Sequence, residues 1–315
     1  MNPHPNISIV VPLYNEEESV LLLYNEISSA CRALGISSEI IFVDDGSRDR
    51  TFEILATLHK QDPAVKAVRF RKNFGQTAAM SAGFELAKGE FIVSMDGDLQ
   101  NDPADIPRLL TKLGEGYDVV CGWRKDRKDK LVSRKIPSMV ANRIIGWVTG
   151  VHIHDNGCSL KAYRSSTIKN VVLYGEMHRF IPAMSTLTGA RIAEIVVDHH
   201  PRRFGNSKYG IGRVWRVALD IVTIKMLSGF SSRPAVWFGL LSLPCLVLGI
   251  ITLLVALGIY HSDASNEWFV MFTASFLFLF LAAHLLGIGM IGELFLHSGS
   301  TKSKKNLRPV SVMEV

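Results

Sequence analysis

Cysteine is scarce in this sequence and placed without pattern. The four, Cys31, Cys121, Cys158 and Cys245, show neither metal-ligand spacing nor a disulfide framework. That excludes a zinc module and a small disulfide-stapled fold, and it fits free thiols in a reducing compartment. Charge is missing from two long runs. Residues 234–262 contain no Asp, Glu, Lys or Arg, and residues 268–292 contain none either; His261 and His284 are their only histidines. Each run exceeds the roughly 20 residues that a membrane-spanning helix needs. The joining stretch, "HSDASNE", has no Lys or Arg. Two runs so joined read as a transmembrane hairpin rather than as buried core helices.

Other absences narrow the field. The start of the chain has no basic region, and "ISIVVPLY" is too short and too β-branched for a secretory leader, so none is expected. The first 210 residues carry no Walker motif and no Gly-x-Gly-x-x-Gly. This disfavours a P-loop NTPase and a standard dinucleotide enzyme. No Arg-Trp pair occurs, so the Gln-x-x-Arg-Trp motif of processive polysaccharide synthases is absent. There is no internal repeat and no low-complexity segment.

What is present is a 315-residue chain, 48% hydrophobic, with a net charge of +6. The basic residues gather beside the apolar runs: Arg213, Arg216, Lys225 and Arg233 before them, Lys302, Lys304, Lys305 and Arg308 after. The positive-inside rule then puts both termini in the cytoplasm and the connecting loop outside. Anionic lipid head groups are a simpler partner for this charge than nucleic acid.

The first 125 residues alternate strand and helix patterns. Strands are predicted at 7–11, 39–43, 65–70, 90–95 and 118–121, and helices at 18–34, 51–59, 77–87 and 106–113. Such alternation implies an α/β, Rossmann-like, mostly parallel sheet with helices on both faces. Ligands of such sheets bind beyond the carboxyl ends of the strands, and polar residues collect there. Pro12, Tyr14, Asn15 and Glu16 follow the first strand, and Asp44, Asp45, Gly46 and Ser47 the second. Arg71, Lys72 and Asn73 follow the third, Asp96 and Asp98 the fourth. Residues 123–135 are strongly basic. Residues 136–151 and 211–230 have apolar positions at helical spacing; each suits an amphipathic helix on a membrane surface or a helix packed within the domain.

The stretch "SMDGDLQNDP" (94–103) holds the sharpest signal. As a calcium loop starting at Asp96 it fails, because Asn101 stands where Gly is needed and Pro107 where Glu is needed. A plain turn remains open. Unpaired buried carboxylates cost several kcal/mol, however, and a hard cation would neutralise them. Mg2+ or Mn2+ is usually held by one or two carboxylates plus substrate phosphate oxygens. Asp44 would then be free to bind a base or a ribose hydroxyl, while "DDGSRD" also suits an Asx turn with Ser47 or Asp49 capping the next helix. Arg202 and Arg203 with nearby Ser207 and Lys208 suit a phosphate, or lipid head groups.

"VVPLYNEEESV", "FVDDGSRDRT", "RKNFGQTAAM" and "MDGDLQNDP" resemble the family 2 glycosyltransferases with the GT-A fold. "GEMHRFIP", "RRFGNSKYG" and the apolar pair narrow the resemblance to polyisoprenyl-phosphate glycosyltransferases, such as GtrB-type enzymes and dolichyl-phosphate mannose synthases. The resemblance implies a GT-A domain over 1–210, a juxtamembrane amphipathic helix over 211–233, two membrane helices (about 234–260 and 268–292) within 234–297, and a basic cytoplasmic tail over 298–315. It implies that Pro12, Tyr14, Glu16, Asp44, Gly46, Asn73 and Gln100 line the nucleotide-sugar pocket, and that Asp96 and Asp98 hold Mg2+ or Mn2+ and the diphosphate. Asp155, in "HDNGCSLKAYR", falls where the family carries its candidate base. Glu176, His178 and Arg179 fall near sugar and acceptor, and Arg202, Arg203, Ser207 and Lys208 at the acceptor phosphate.

The expected reaction is inverting transfer of a hexose, glucose from UDP-glucose being the first choice, to undecaprenyl phosphate at the cytoplasmic membrane face. GDP-mannose as donor is the alternative, UDP-GlcNAc and an aminoarabinose donor are further options, and a non-catalytic membrane scaffold or channel subunit is the alternative of another class. Gly249, Gly258, Gly287, Gly289 and Gly292 would let copies pack as a homo-oligomer, a tetramer being one form.

Overall fold

The structure, a computed structural model, describes residues 5–125, 142–143, 145–147, 149–173, 175, 177–186, 188–204, 233–261, 267–299 and 313–314. The expectations for Glu176, Ser207, Lys208, the helix at 211–230 and most of the basic run at 123–135 lie outside these residues. The chain divides into two compact units, one within 1–224 together with 309–315, the other within 225–308.

The first unit is a sheet with helices on both faces. Its strands are β1 (Ile7–Leu13), β2 (Ser38–Asp44), β3 (Val65–Arg69), β4 (Phe91–Ser94), β5 (Val119–Trp123), β6 (Lys161–Arg164), β7 (Ile192–Val196) and the two-residue β8 (Met313–Glu314). Their order across the sheet is β7-β5-β6-β4-β1-β2-β3-β8. Helices α1 (Val20–Leu34), α2 (Thr51–Gln61), α3 (Gln76–Leu86) and α4 (Ile106–Gly114) connect the early strands, and the short α5 (Ser165–Ile168) and α6 (Ile181–Thr186) follow β6. Alternation decides the faces. Ile7, Ile9, Val11 and Leu13 of β1 join Ile40 and Phe42 of β2 in one core, with Leu23 and Ile27 of α1. Val10, Ile41 and Val43 point the other way, onto Ala79, Met80 and Phe84 of α3. Each of the larger side chains among these, fully buried, stabilises the fold by about 1.5–3 kcal/mol.

The sheet departs from a purely parallel one at β6. That strand lies between β4 and β5 and runs antiparallel to both. Its first residue, Lys161, therefore pairs with Ser94 and Cys121 near the carboxyl ends of β4 and β5. The segment leading into β6 is thereby delivered to the same end of the sheet as the loops after the parallel strands. β7 is parallel to β5, so the chain leaving it starts from that end too.

The second unit is a helical hairpin, α7 (Pro234–His261) and α8 (Glu267–Gly299). Residues 234–261 and 268–295 are each long and apolar enough to cross a membrane. At 1.5 Å per residue, α7 spans about 42 Å. Small residues set the contact between the helices. A Cβ on Gly249 would lie 2.8 Å from Leu279 Cγ, and one on Gly289 would lie 2.9 Å from Phe238 Cβ. Ser275 Oγ donates to the Gly249 carbonyl at 2.8 Å, and Glu293 accepts from the Ala235 amide at 3.2 Å. Residues 287–292 spell Gly-x-Gly-x-x-Gly, but inside α8, where no strand precedes them. Two of those glycines serve helix contact instead of a phosphate: Gly289 meets Ala235 and Phe238, and Gly292 meets Pro234.

Candidate active site

The loops after β1 and β2 are tied to each other. Asn15 takes a positive φ of 52°, its amide donates to Ser47 Oγ at 2.8 Å, and its side-chain oxygen accepts from the Arg48 amide at 2.8 Å. The Glu16 amide donates to Thr51 Oγ1 at 2.9 Å. Pro12, Tyr14 and Glu16 are thus held at the mouth of the sheet, each half-buried. Asp44 ends β2 and is fully buried. Its Oδ1 accepts from the Ser47 amide, three residues on, at 3.0 Å. Asp49 Oδ1 accepts from the Thr51 amide at 3.1 Å, an Asx turn leading into α2; the N-cap position is Arg50, without a side-chain cap, and neither Ser47 nor Asp49. Arg69 Nε lies 3.4 Å from Asp44 Oδ2, near enough for ion pairing but not aligned to donate. That oxygen is buried with no hydrogen-bond donor. A buried acceptor of this kind costs free energy until a donor reaches it.

Asp45 points the other way and holds the start of α3. Its two oxygens accept from the Phe74 amide at 2.7 Å and the Gly75 amide at 2.8 Å. Burial raises its pKa above 3.8, the two amide bonds oppose that, and the Asp44 charge adds to it. Gly46 makes this packing possible. Its φ is +70°, and a Cβ there would lie 2.6 Å from the Lys72 carbonyl carbon and 2.9 Å from the Asn73 amide nitrogen. Asn73 is exposed beside it.

Asp96 and Asp98 leave the end of β4. Gly97 between them has no room for a side chain, since its Cβ would lie 2.2 Å from Leu13 Cδ2. The turn is therefore pressed against the end of β1. Gln76, at the start of α3, donates through Nε2 to Asp96 Oδ1 at 2.6 Å. Arg202 donates through Nη2 to Asp98 Oδ2 at 2.5 Å. Burial, then the charge of Asp98, raises the Asp96 pKa above 3.8; a hydrogen bond from Ser159 and the charges of Arg124 and Lys161 act against this.

The strand leaving β7 runs beside that turn. Asn101 and His199 form an antiparallel bridge, the His200 amide donates to the Gln100 carbonyl at 2.9 Å, and the Asp198 amide donates to Asp105 at 2.7 Å. Gln100 Nε2 reaches the His200 carbonyl at 3.5 Å. Arg202 is half-buried and Arg203 exposed.

Asp155, on the segment entering β6, is buried against Arg124. Arg124 Nε donates to Oδ2 at 2.7 Å and Nη2 to Oδ1 at 3.0 Å. Burial opposes the Arg124 charge, but the Asp155 hydrogen bond and the neighbouring negative charges, those of Asp155 and Asp96 among them, together outweigh it and the guanidinium pKa is raised. Glu194 of β7 accepts from the Asp155 amide at 3.0 Å and from His154 Nδ1 at 2.7 Å. His178 Nδ1 lies 2.7 Å from Thr77 Oγ1, which ties the 177–180 segment to α3. A cavity of about 20 Å³ beneath Asp96 is lined by Gln76, Lys161, His178 and Arg179. Lys161 is buried, its ammonium donating to the carbonyls of Asn156 and Cys158.

One end of the sheet thus gathers Asp44, Asp96, Asp98, Gln100, Asp155, His178, Arg179 and Arg202. Sequence reasoning did not single out Gln76, Arg124, Lys161 or Glu194. Arg124 was within reach, because it follows β5 directly, as Asp96 follows β4.

Among the described residues, no three His, Cys, Asp or Glu side chains converge as a metal cage. Asp96 and Asp98 offer two carboxylates, which suits a divalent ion whose remaining ligands are phosphate oxygens and water. A carboxyl whose ionisation is disfavoured by burial and by its neighbour is a donor that such an ion relieves.

Residues 8–172 match the family described as Glycosyl transferase family 2. The chain is 47% identical over 255 residues to a dodecaprenyl-phosphate galacturonate synthase of Rhizobium johnstonii, over 80% of this chain and 75% of the relative. It is 38% identical over 296 residues to an undecaprenyl-phosphate 4-deoxy-4-formamido-L-arabinose transferase of Pseudomonas paraeruginosa, over 93% of this chain and 86% of the relative. In fold it is similar to glucosyl-3-phosphoglycerate synthase from Mycobacterium tuberculosis in complex with Mn2+, UDP and phosphoglyceric acid. That match has a TM-score of 0.55 and 19% identity, over 71% of this chain and 78% of the other.

Proposed function

The chain belongs to glycosyl transferase family 2 and has the GT-A fold, and from that premise we propose that it transfers a sugar from a nucleoside diphosphate to a polyisoprenyl phosphate at the cytoplasmic membrane face. It is a glycosyltransferase of the polyprenyl-phosphate class and membrane-associated; the scaffold alternative falls with that. The observation that carries the fuller reading is the contact between Asp98 of the Asp-x-Asp turn and Arg202. A diphosphate-binding carboxylate and a phosphate-binding guanidinium share one wall of the crevice.

Each group has a task in this reading. Asp44 Oδ2 accepts from the base or ribose of the donor, filling its missing hydrogen bond. Asp96 and Asp98 would hold Mg2+ or Mn2+, which would supply charge stabilisation to the departing diphosphate. Arg202 and Arg203 hold the acceptor phosphate, with Ser207 and Lys208 in the same segment. An acceptor phosphate oxygen attacks the anomeric carbon; that bond forms as the carbon–oxygen bond to the nucleoside diphosphate breaks, with inversion. A phosphate monoester has a second pKa near 6 and is mostly dianionic at neutral pH. It needs no proton removed, so Asp155 serves by positioning Arg124 rather than as a base.

The acceptor's isoprenoid tail stays in the bilayer, at about 0.8 kcal/mol per buried CH₂, and the hairpin keeps the enzyme there. The basic flanks support a topology with both termini in the cytoplasm, where nucleotide sugars are. Gly258 and Gly287 meet nothing within 4 Å inside the hairpin and serve contact between copies in a homo-oligomer. For the donor, UDP-glucose remains the first choice. Galacturonate and formamido-arabinose, named in the relatives, come next, and GDP-mannose after them.

The test is an assay of membranes with a panel of labelled nucleotide sugars and polyprenyl phosphate, following label into the organic phase. Transfer is expected from one donor, and Asp96→Ala or Asp98→Ala should lower it by at least roughly 100-fold, the scale of removing a charge-stabilising group. Absence of transfer from every donor, or full activity in both variants, refutes the reading.

A further inference from the structure

Both carboxylates of the Asp-x-Asp turn are already engaged by the protein itself. Gln76 donates to Asp96 and Arg202 to Asp98. The Arg202–Asp98 contact is tight, at 2.5 Å, and well shielded: the Asp98 side chain is 8% exposed and that of Arg202 23%. The backbone on either side is sewn down. The Asn101–His199 bridge and the His200–Gln100 bond hold the two segments in register up to the residue before Pro201. Arg202 can therefore leave Asp98 by a side-chain movement, while the segment that carries it stays in place.

We propose that Arg202 is a latch, standing in for the cation at Asp98 and handed to a phosphate when the cation arrives. This rests on the metal assignment given above and goes beyond it. Asp98 Oδ1 already accepts from the Gln100 amide, so an ion approaching this carboxylate meets the guanidinium on Oδ2, and the two positive charges compete for the same carboxylate. Binding of the ion with the donor's diphosphate releases Arg202, and a released guanidinium seeks another oxyanion. The acceptor phosphate is the ligand of that chemistry. The latch thus makes donor and acceptor binding cooperative, donor first. By linkage the coupling is reciprocal: whatever removes Arg202 from Asp98 tightens the ion. Without the ion, the latch keeps the buried Asp98 carboxylate paired.

The experiment measures Mn2+ binding alone, on the full-length protein in detergent, from the electron paramagnetic resonance signal of free Mn2+. Arg202→Gln removes the charge but keeps a polar side chain, and is expected to bind Mn2+ roughly fivefold or more tightly than the wild type, the lower range of coupling between sites. Arg202→Lys keeps the charge and should stay near the wild type. Arg203→Gln, the same charge change on the exposed neighbour, controls for long-range electrostatics and should change little. Inorganic phosphate should tighten Mn2+ in the wild type and lose that effect in Arg202→Gln. Thermal unfolding of each variant checks that it is folded. Equal Mn2+ affinity in the wild type and Arg202→Gln, or equal gains in Arg202→Gln and Arg203→Gln, overturns the latch while leaving the metal site standing. Mn2+ binding that Asp96→Asn and Asp98→Asn leave unchanged overturns both.

Discussion

Arg124 lies across Asp155 in a forked ion pair, Nε 2.7 Å from one carboxylate oxygen and Nη2 3.0 Å from the other. Both side chains are largely buried, at 12% and 5% exposed. The residue that stands at the family's candidate base position has its carboxylate committed to a guanidinium.

The pair should act as a unit. Asp155→Asn keeps the size of the side chain but halves its capacity to accept the fork. Arg124→Lys removes the fork altogether. Each is expected to lower turnover by about tenfold or more, and the double variant to be little worse than either alone. Breaking one side of a buried pair also costs about 3–5 kcal/mol, so unfolding midpoints should fall in parallel. Initial-rate kinetics over a range of acceptor concentrations check this. Near-normal turnover in Asp155→Asn removes any essential role for the pair. A double variant that multiplies the two losses shows two independent functions.

Asp45 gives a pH signature in stability. Its pKa is raised above 3.8, chiefly by burial. Well below 3.8 the carboxyl is protonated in both folded and unfolded chains. Between 3.8 and the higher folded value, the folded protein keeps a proton that the unfolded chain has lost. Its contribution to stability therefore falls as pH rises through that window and is level above it. In Asp45→Asn the contribution disappears. The difference in thermal unfolding between wild type and variant, followed from pH 3.5 upward, should decline with rising pH and then flatten. A difference that grows with pH contradicts the assignment.

The hairpin separates two kinds of glycine. A side chain at Gly249 would collide with Leu279, whereas Gly258 has open space around it within the chain. Gly249→Val is expected to destabilise the hairpin by about 1–3 kcal/mol, the usual cost of overpacking. Gly258→Val should leave a single chain's stability unchanged and show itself only where copies meet. Unfolding in detergent and size-exclusion profiles of the two variants report these effects separately.

Much of the site was readable before any coordinates. Asp44, Asp96 and Asp98 each follow an apolar β-branched run, and in a parallel sheet every such run ends at the same edge. Period-2 and period-3.6 patterns are local properties, so strands β1 to β5 and helices α1 to α4 fall close to the predicted spans. The hairpin was as plain, since about 25 apolar residues have few other solutions. Strands β6 and β7 were not legible: the first is four residues long and the second only partly buried.

The sequence by itself determined the chemistry on offer: a carboxylate pair at a strand end, a basic segment fit for phosphate, and two apolar runs of membrane length. Each depends on residues close together in the chain, so each survives being read one window at a time. The tertiary structure decided who meets whom. Asp98 and Arg202 are 104 residues apart, and Arg124 and Asp155 are 31 apart. They touch because β6 enters the sheet against the direction of its neighbours while β7 follows the direction of β5. Strand direction is settled by pairing across the sheet, where the hydrogen bonds join residues that no local pattern connects.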